Sequence, residues 1–305
     1  KNIEMGWCNP KLNKQKQFDI LNETFKTRNI KKLRWLLKNY TVIDLNQELE
    51  GKETPIHFVV RHNLVEFAEL IIDYGVNINV KGTEDGVTPL HMACLLGYKD
   101  MINLLIERSA DVRAVDTISK NTPLHYCISK NSTLSVPQKI DIMKALLEAN
   151  AEIDAQNWVG ETALLAACKE NNEAIITLLL QYHADCNLSD HSDVTPLHVV
   201  SGFQILSIVK LLLSKHANLT CDRVKGKTPF HFASFSESFD VLQLLYDCDN
   251  TLFHKKDHLG NTAFHDACCF NATYEKIAWF IDHHALLDAK NHQGCTPLHC
   301  VLKFN

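Results

Sequence analysis

One tetrapeptide returns along the chain at nearly constant spacing. It reads Thr54-Pro-Ile-His57, Thr88-Pro-Leu-His91, Thr122-Pro-Leu-His125, Thr162-Ala-Leu-Leu165, Thr195-Pro-Leu-His198, Thr228-Pro-Phe-His231, Thr262-Ala-Phe-His265 and Thr296-Pro-Leu-His299. Successive threonines lie 34, 34, 40, 33, 33, 34 and 34 residues apart. A period in this range marks a stacked array in which each unit covers the apolar side of its neighbour and no single core exists. The 305 residues therefore count units, where the same length would otherwise predict one large domain or two medium ones.

Thr-Pro is a helix-start signal. The threonine caps an orphan backbone N–H, and proline fits the first helical position, where its missing N–H costs nothing. Each tetrapeptide thus opens a short helix. A second apolar run follows about ten residues after the His, as in Met101–Ile106, Ile175–Leu180, Ile208–Leu213 and Val241–Leu245, and predicts a second helix with a broad buried stripe. The connecting stretches, such as residues 151–160 and 184–193, are polar and turn-forming and predict protruding loops or hairpins.

These residues resemble the ankyrin repeat family, whose pattern is T-P-L-H-x-A with a period of about 33 residues. The likeness covers roughly residues 20–305 and is specific for fold, not for activity. It implies an all-α ankyrin-repeat solenoid of stacked helix pairs with β-hairpin fingers, and a concave face made by the fingers and first helices. It also implies a structural role for the seven signature histidines, each bonding near its own Thr and the adjoining loop.

On this reading residues 1–17 are a polar N-terminal segment, residues 18–52 a diverged repeat or cap, and residues 53–305 about eight repeats, the last incomplete. The unit opening at Thr122 carries about seven extra residues, assigned to 131–137, and Thr162-Ala-Leu-Leu165, without Pro or His, predicts a less firmly anchored helix. Only six residues follow His299, so Val301 and Leu302 await cover and the native protein is expected to continue past Asn305.

Composition excludes collagen-like and disordered chains: 46% of residues are hydrophobic and 22% charged, with 11 Gly and 8 Pro. The 16 His and 11 Cys invite metal or redox chemistry, but no C-x-x-C pair occurs, and equivalent histidines of stacked units stand roughly 8–10 Å apart, too far to share an ion. Cys94, Cys127, Cys168 and Cys268 sit where small buried residues are needed; the strongest metal candidate, His265, Cys268, Cys269, Cys295, His299 and Cys300, is already explained in part by packing. Gly226-Lys-Thr228 lacks the upstream Gly of a phosphate loop, and Asp282-His283-His284 has no acidic partners. No cofactor, metal or enzymatic activity is expected. Free thiols point to a reducing compartment, cytoplasmic or nuclear. No apolar run reaches the ~20 residues of a membrane span. Residues 1–40 hold 10 Lys/Arg against 3 Asp/Glu, leaving −12 for the rest, which argues against general nucleic-acid binding.

The resemblance places partner-facing residues of the first helix seven and eight positions after the Thr. Four successive units present a phenylalanine there, Phe203, Phe235, Phe270 and Phe304, and an earlier unit presents Leu95 and Leu96. Finger tips add Trp158, Arg223, Lys225, Lys256 and Leu259. Together they predict a partly apolar channel with basic fingers, suited to an extended peptide or an amphipathic helix. The function expected is therefore a non-enzymatic protein–protein interaction scaffold or adaptor. Two alternatives stand beside it: a regulatory or targeting arm of a larger enzyme, channel or toxin, and recognition of a nucleotide by Lys225, Lys227 and Lys256 over Phe235, or of a modified peptide around Trp158.

Overall fold

The computed structural model describes residues 14–39, 44–49, 53–82, 85–129, 132, 134–222, 224–236, 239–270 and 273–304. The chain divides into two compact units, residues 1–152 and 153–305. In the first, helices α1 (Lys14–Lys26) and α2 (Ile30–Asn39) precede three pairs: α3 (Pro55–Arg61) with α4 (Val65–Asp73), α5 (Pro89–Leu96) with α6 (Lys99–Glu107), and α7 (Pro123–Ile128) with α8 (Val136–Glu148). First helices pack on first helices, α3 on α5 and α5 on α7, while α4, α6 and α8 form a parallel row behind them.

The second unit repeats the plan with α9 (Ala163–Lys169) and α10 (Glu173–Gln181), α11 (Pro196–Gly202) and α12 (Leu206–Ser214), α13 (Pro229–Ala233) and α14 (Asp240–Cys248), α15 (Ala263–Cys269) and α16 (Tyr274–Asp282), then α17 (Pro297–Phe304). Of the seven residues read as an insertion, Val136 and Pro137 belong to the first turn of α8, while Asn131 and Thr133 lie outside the described residues.

Each first helix starts the way its tetrapeptide dictates. Thr88, Thr195, Thr228 and Thr262 take extended backbone and close a reciprocal cap with the histidine three residues on, so His stands where Glu or Gln usually completes a capping box. In the Thr228 unit the backbone N–H of Thr228 donates to His231 Nδ1 at 3.2 Å, with the hydroxyl 2.9 Å from the same atom. That leaves the ring proton on Nε2, which reaches forward to a carbonyl of the next unit. His57 meets Val87 O at 2.9 Å, His91 meets Asn121 O at 3.0 Å, His231 meets Asn261 O at 3.3 Å and His265 meets Cys295 O at 3.2 Å; His198 is shared between Cys221 O and Lys227 O, both at 3.1 Å. Burial lowers the basicity of all five rings, His231 furthest, to about 4, where the nearby Lys227 charge adds to the effect.

The unit opening at Thr162 keeps its threonine cap, Thr162 Oγ1 accepting from Leu165 N at 3.2 Å, but has no ring to reach forward. Lys169 replaces that tie, with Nζ 2.9 Å from both Glu161 and Asp190, and Gln156 Nε2 donates to Ser189 O at 2.9 Å. The anchorage changes in kind and is not lost.

Fingers between pairs are tight turns. Among the described residues, strand-like pairing is confined to two isolated bridges, Val224 with Lys227 and Lys256 with Thr262. A finger Asp or Asn closes most of these turns: Asp257 Oδ1 accepts from Leu259 N at 2.9 Å and Asn261 N at 2.8 Å. Neighbouring fingers then join backbone to backbone, His191 N to Val159 O at 2.9 Å, His258 N to Lys225 O at 2.8 Å and His292 N to Leu259 O at 2.9 Å. Gly160, Gly226 and Gly260 make this approach possible. All three have left-handed φ near +78°, between 77° and 79°, and an added Cβ would stand 2.6–2.8 Å from the next finger's histidine ring.

The core is the buried stripe of each helix pair, with Leu164, Leu179, Val209, Leu212 and Leu245 fully enclosed. Toward the C-terminal end it turns aromatic. Phe253, on a 3₁₀ turn (Asn250–His254), meets Phe230, Tyr246, Trp279 and Phe280, and Phe264 stacks on Phe280 at 4.9 Å.

Candidate partner-binding site

The second unit carries a cavity of about 350 Å³ between the fingers and first helices of its last three repeats. Phe235, Leu259, Cys269, Phe270 and Cys300 give it apolar walls, and Lys227 and Asp266 form a polar flank. Phe235 and Phe270 meet edge to face with centroids 5.2 Å apart, and Phe232 extends the row, 5.7 Å from Phe235 and 5.1 Å from the ring of His198.

Lys227 anchors this row from the finger side. Its ammonium lies 5.2 Å from the Phe235 centroid, 3.2 Å from Asp257 and 2.5 Å from Asp266. Both carboxylates are buried, at 5% and 4% exposure. Burial alone would push both up. For Asp257 the N–H of Asn261, the Lys227 charge and the N–H of Leu259 outweigh it, holding that carboxyl below the usual range. Asp266 has only the Lys227 contact in opposition, and burial pushes it up to about 6. One ammonium thus serves two acids, of which Asp266 is raised and Asp257 lowered.

Of the residues expected to face a partner, Phe235 and Phe270 are brought together, with Leu259 on the same cavity. Phe203 is 52% exposed at the end of α11 and makes none of these ring contacts, so the row runs through Phe232 instead. The Phe304 side chain and Arg223 lie outside the described residues. Lys225 and Lys256 are exposed on consecutive fingers, Lys256 donating to Lys290 O at 3.1 Å. Trp158 stands 64% exposed at its own finger tip. Leu95 and Leu96 belong to the first unit, where Leu96 is 37% exposed.

Sequence reasoning missed Phe232, Asp257 and Asp266, and placed Lys227 only in the alternative of nucleotide recognition. In the structure Lys227 is engaged by two carboxylates and its ammonium lies over one face of the Phe235 ring. The one available signal was the acid at position four of the Thr262 helix, Asp266, where the other units carry Phe58, Met92, Tyr126, Ala166, Val199, Phe232 and Cys300.

Among the described residues no three His, Cys, Asp or Glu side chains are arranged to hold a metal ion. His265 spends Nδ1 on Thr262 and Nε2 on Cys295 O, while burial pushes the Cys268 and Cys269 thiols up to about 12. His283 is likewise occupied, with Nδ1 2.7 Å from Trp279 O and the ring stacked on Trp279 at 4.2 Å. No helix of the described residues is long and apolar enough to cross a membrane.

Comparison with known proteins gives a consistent result. The family model described as ankyrin repeats (3 copies) matches residues 21–116, 111–190 and 188–257. Among curated proteins, Palmitoyltransferase AKR1 of Lachancea kluyveri is 27% identical over 159 residues, 52% of this chain and 21% of that protein. The B-cell lymphoma 3 protein homolog of Mus musculus is 28% identical over 160 residues, 51% of this chain and 34% of that protein. This chain therefore spans between a fifth and about a third of these relatives. In fold, the crystal structure of the ankyrin repeat domain of Bcl-3 superposes with a TM-score of 0.65 at 23% identity, over 74% of this chain and 97% of that domain.

Proposed function

The chain belongs to the ankyrin repeat family, and on that premise we propose that it is a non-catalytic protein-interaction module whose recognition site is the Phe235–Phe270 cavity of residues 153–305. The observation that carries the reading is the cavity itself. Half-buried Phe235 and 54%-exposed Phe270 form an apolar wall beside Leu259, which is 60% exposed, and apolar surface kept open on a soluble face is a partner site more often than not. Phe203, Lys225, Lys256 and Trp158 extend the proposed surface along the second unit, and Leu95 and Leu96 form a smaller one in the first unit.

The unpaired state of the described cysteines supports a reducing compartment for this work. A second reading, that the array is the targeting or regulatory arm of a larger catalytic protein, is favoured by the relative named as a palmitoyltransferase, in which the matched segment is about a fifth of the whole.

Affinity capture with the whole chain beside a Phe235→Ala/Phe270→Ala variant tests the proposal. Partners retained by the wild-type chain should be lost by the variant while its thermal melt stays cooperative. Equal recovery by two folded proteins would reject the cavity as the site.

A further inference from the structure

We infer that the occupant of the Phe235–Phe270 cavity is an extended acidic peptide segment, with one bulky apolar side chain seated against the two rings and its carboxylates against Lys225 and Lys256. This rests on the interaction reading above and names its partner chemistry.

Size comes first. About 350 Å³ lies at the lower end of the roughly 300–1,000 Å³ typical of ligand pockets, room for one or two side chains and not for a folded surface. The walls that touch such a side chain, Phe235, Leu259 and Phe270, select a bulky apolar group.

Charge then decides what flanks it. The two carboxylates on Lys227 are consumed within the protein, since Asp257 and Asp266 are both buried on it, and that ammonium is consumed with them. Asp222 is held by Lys255 at 3.1 Å. On the two fingers at residues 222–227 and 255–261, what the described residues still offer is positive: Lys225 and Lys256 are exposed, and neither takes part in an ion pair among the described residues. The bond from Lys256 Nζ to Lys290 O lays that side chain along its finger without neutralising it. A surface with an apolar socket and two uncompensated ammonium groups complements an acidic segment carrying an apolar anchor. A polyphosphate or nucleic-acid strand fits less well, because one face of the Phe235 ring is already taken by Lys227 and the phosphates would meet only two cations.

Panning a random peptide display library on the whole chain tests this, in parallel with a Lys225→Glu/Lys256→Glu variant and the Phe235→Ala/Phe270→Ala variant. The wild-type chain should enrich net-acidic sequences with a Phe, Leu, Ile, Met or Trp anchor. The charge reversal should weaken the best of these about tenfold, as expected for two exposed ion pairs turned repulsive, and shift the enriched pool toward basic residues around the same anchor. Enriched peptides that need the phenylalanines but carry no acidic bias would overturn the inference and leave the interaction reading standing. No enrichment, or enrichment indifferent to both variants, would overturn both.

Discussion

His231 ties its own unit to the next: Nδ1 accepts the backbone N–H of Thr228, which fixes the proton on Nε2 and directs it to the carbonyl of Asn261. A single tautomer of a neutral ring thus does two jobs, closing a helix start and joining neighbouring repeats. Protonation of Nδ1 breaks the first bond, so this joint works only while the ring is uncharged.

Acid should therefore loosen the array before carboxylates titrate generally. The five buried rings are held below the ordinary 6.5, His231 at about 4, so between those values the unfolded chain binds more protons and stability falls as pH falls. For His231 alone the shift corresponds to roughly 3 kcal/mol. Asp266 opposes this. Its native value of about 6 lies above the ordinary 3.8, so in that window the native state binds more protons and gains stability on acidification. Denaturant midpoints measured from neutral pH down to pH 4 should decline, and more steeply in Asp266→Asn. A flat profile would contradict the protonation scheme.

Replacing His231 should cost more than replacing His299. His231→Ala strands the Thr228 N–H and the Asn261 carbonyl, a loss of about 2–3 kcal/mol. His299 bonds its own Thr296 and meets no further carbonyl among the described residues, so His299→Ala removes only a cap, about 1 kcal/mol. Urea unfolding of the two variants gives the comparison, and equal losses would show that the forward bond contributes nothing.

Glycine substitutions should separate strain from collision. At Gly294 an added Cβ meets open space, so Gly294→Ala costs only its left-handed φ of +76°, about 1 kcal/mol. Gly226→Ala adds contacts of 2.6 Å with the backbone N and ring of His258, raising the expected loss by a further 1–3 kcal/mol or so. Thermal melts should order them wild type, Gly294→Ala, Gly226→Ala.

Removing the shared cation should unbalance its two acids. Lys227→Met leaves Asp257 and Asp266 buried without a counter-charge, a loss of about 3 kcal/mol. Adding Asp266→Asn to Lys227→Met should recover part of it, because the buried acid without backbone N–H donors is then gone. A double variant no more stable than Lys227→Met would mean that Asp266 is already protonated throughout.

The repeat was legible because caps and periodicity are local: Thr228-Pro-Phe-His231 states its helix start within four residues. The forward bond of His231 was legible only through family likeness, since its acceptor is thirty residues away and any residue offers a carbonyl. Phe235 and Phe270 could be placed by counting from their threonines, whereas Phe203 fills the equivalent position without joining them. Phe232 and Asp266 went unread because position four of the helix is apolar in most units, and what they touch depends on Lys227 reaching across from a finger. Thr162-Ala-Leu-Leu165 was read as a weakness for the same reason: the compensating partners of Lys169, Glu161 and Asp190, lie 8 residues before it and 21 after it.

Where fingers meet through glycine, the step from one repeat to the next in residues 153–305 is set by main chain resting on main chain, with N–H to O distances of 2.9, 2.8 and 2.9 Å at three of the seams whatever the side chains alongside. The seams act as a ruler. A strand lying across these fingers would meet Trp158, Lys225, Lys256 and Leu259 at graduations that mutation of the tips cannot move, so new specificities could be written by exchanging tip residues alone, with the spacing of the letters already fixed.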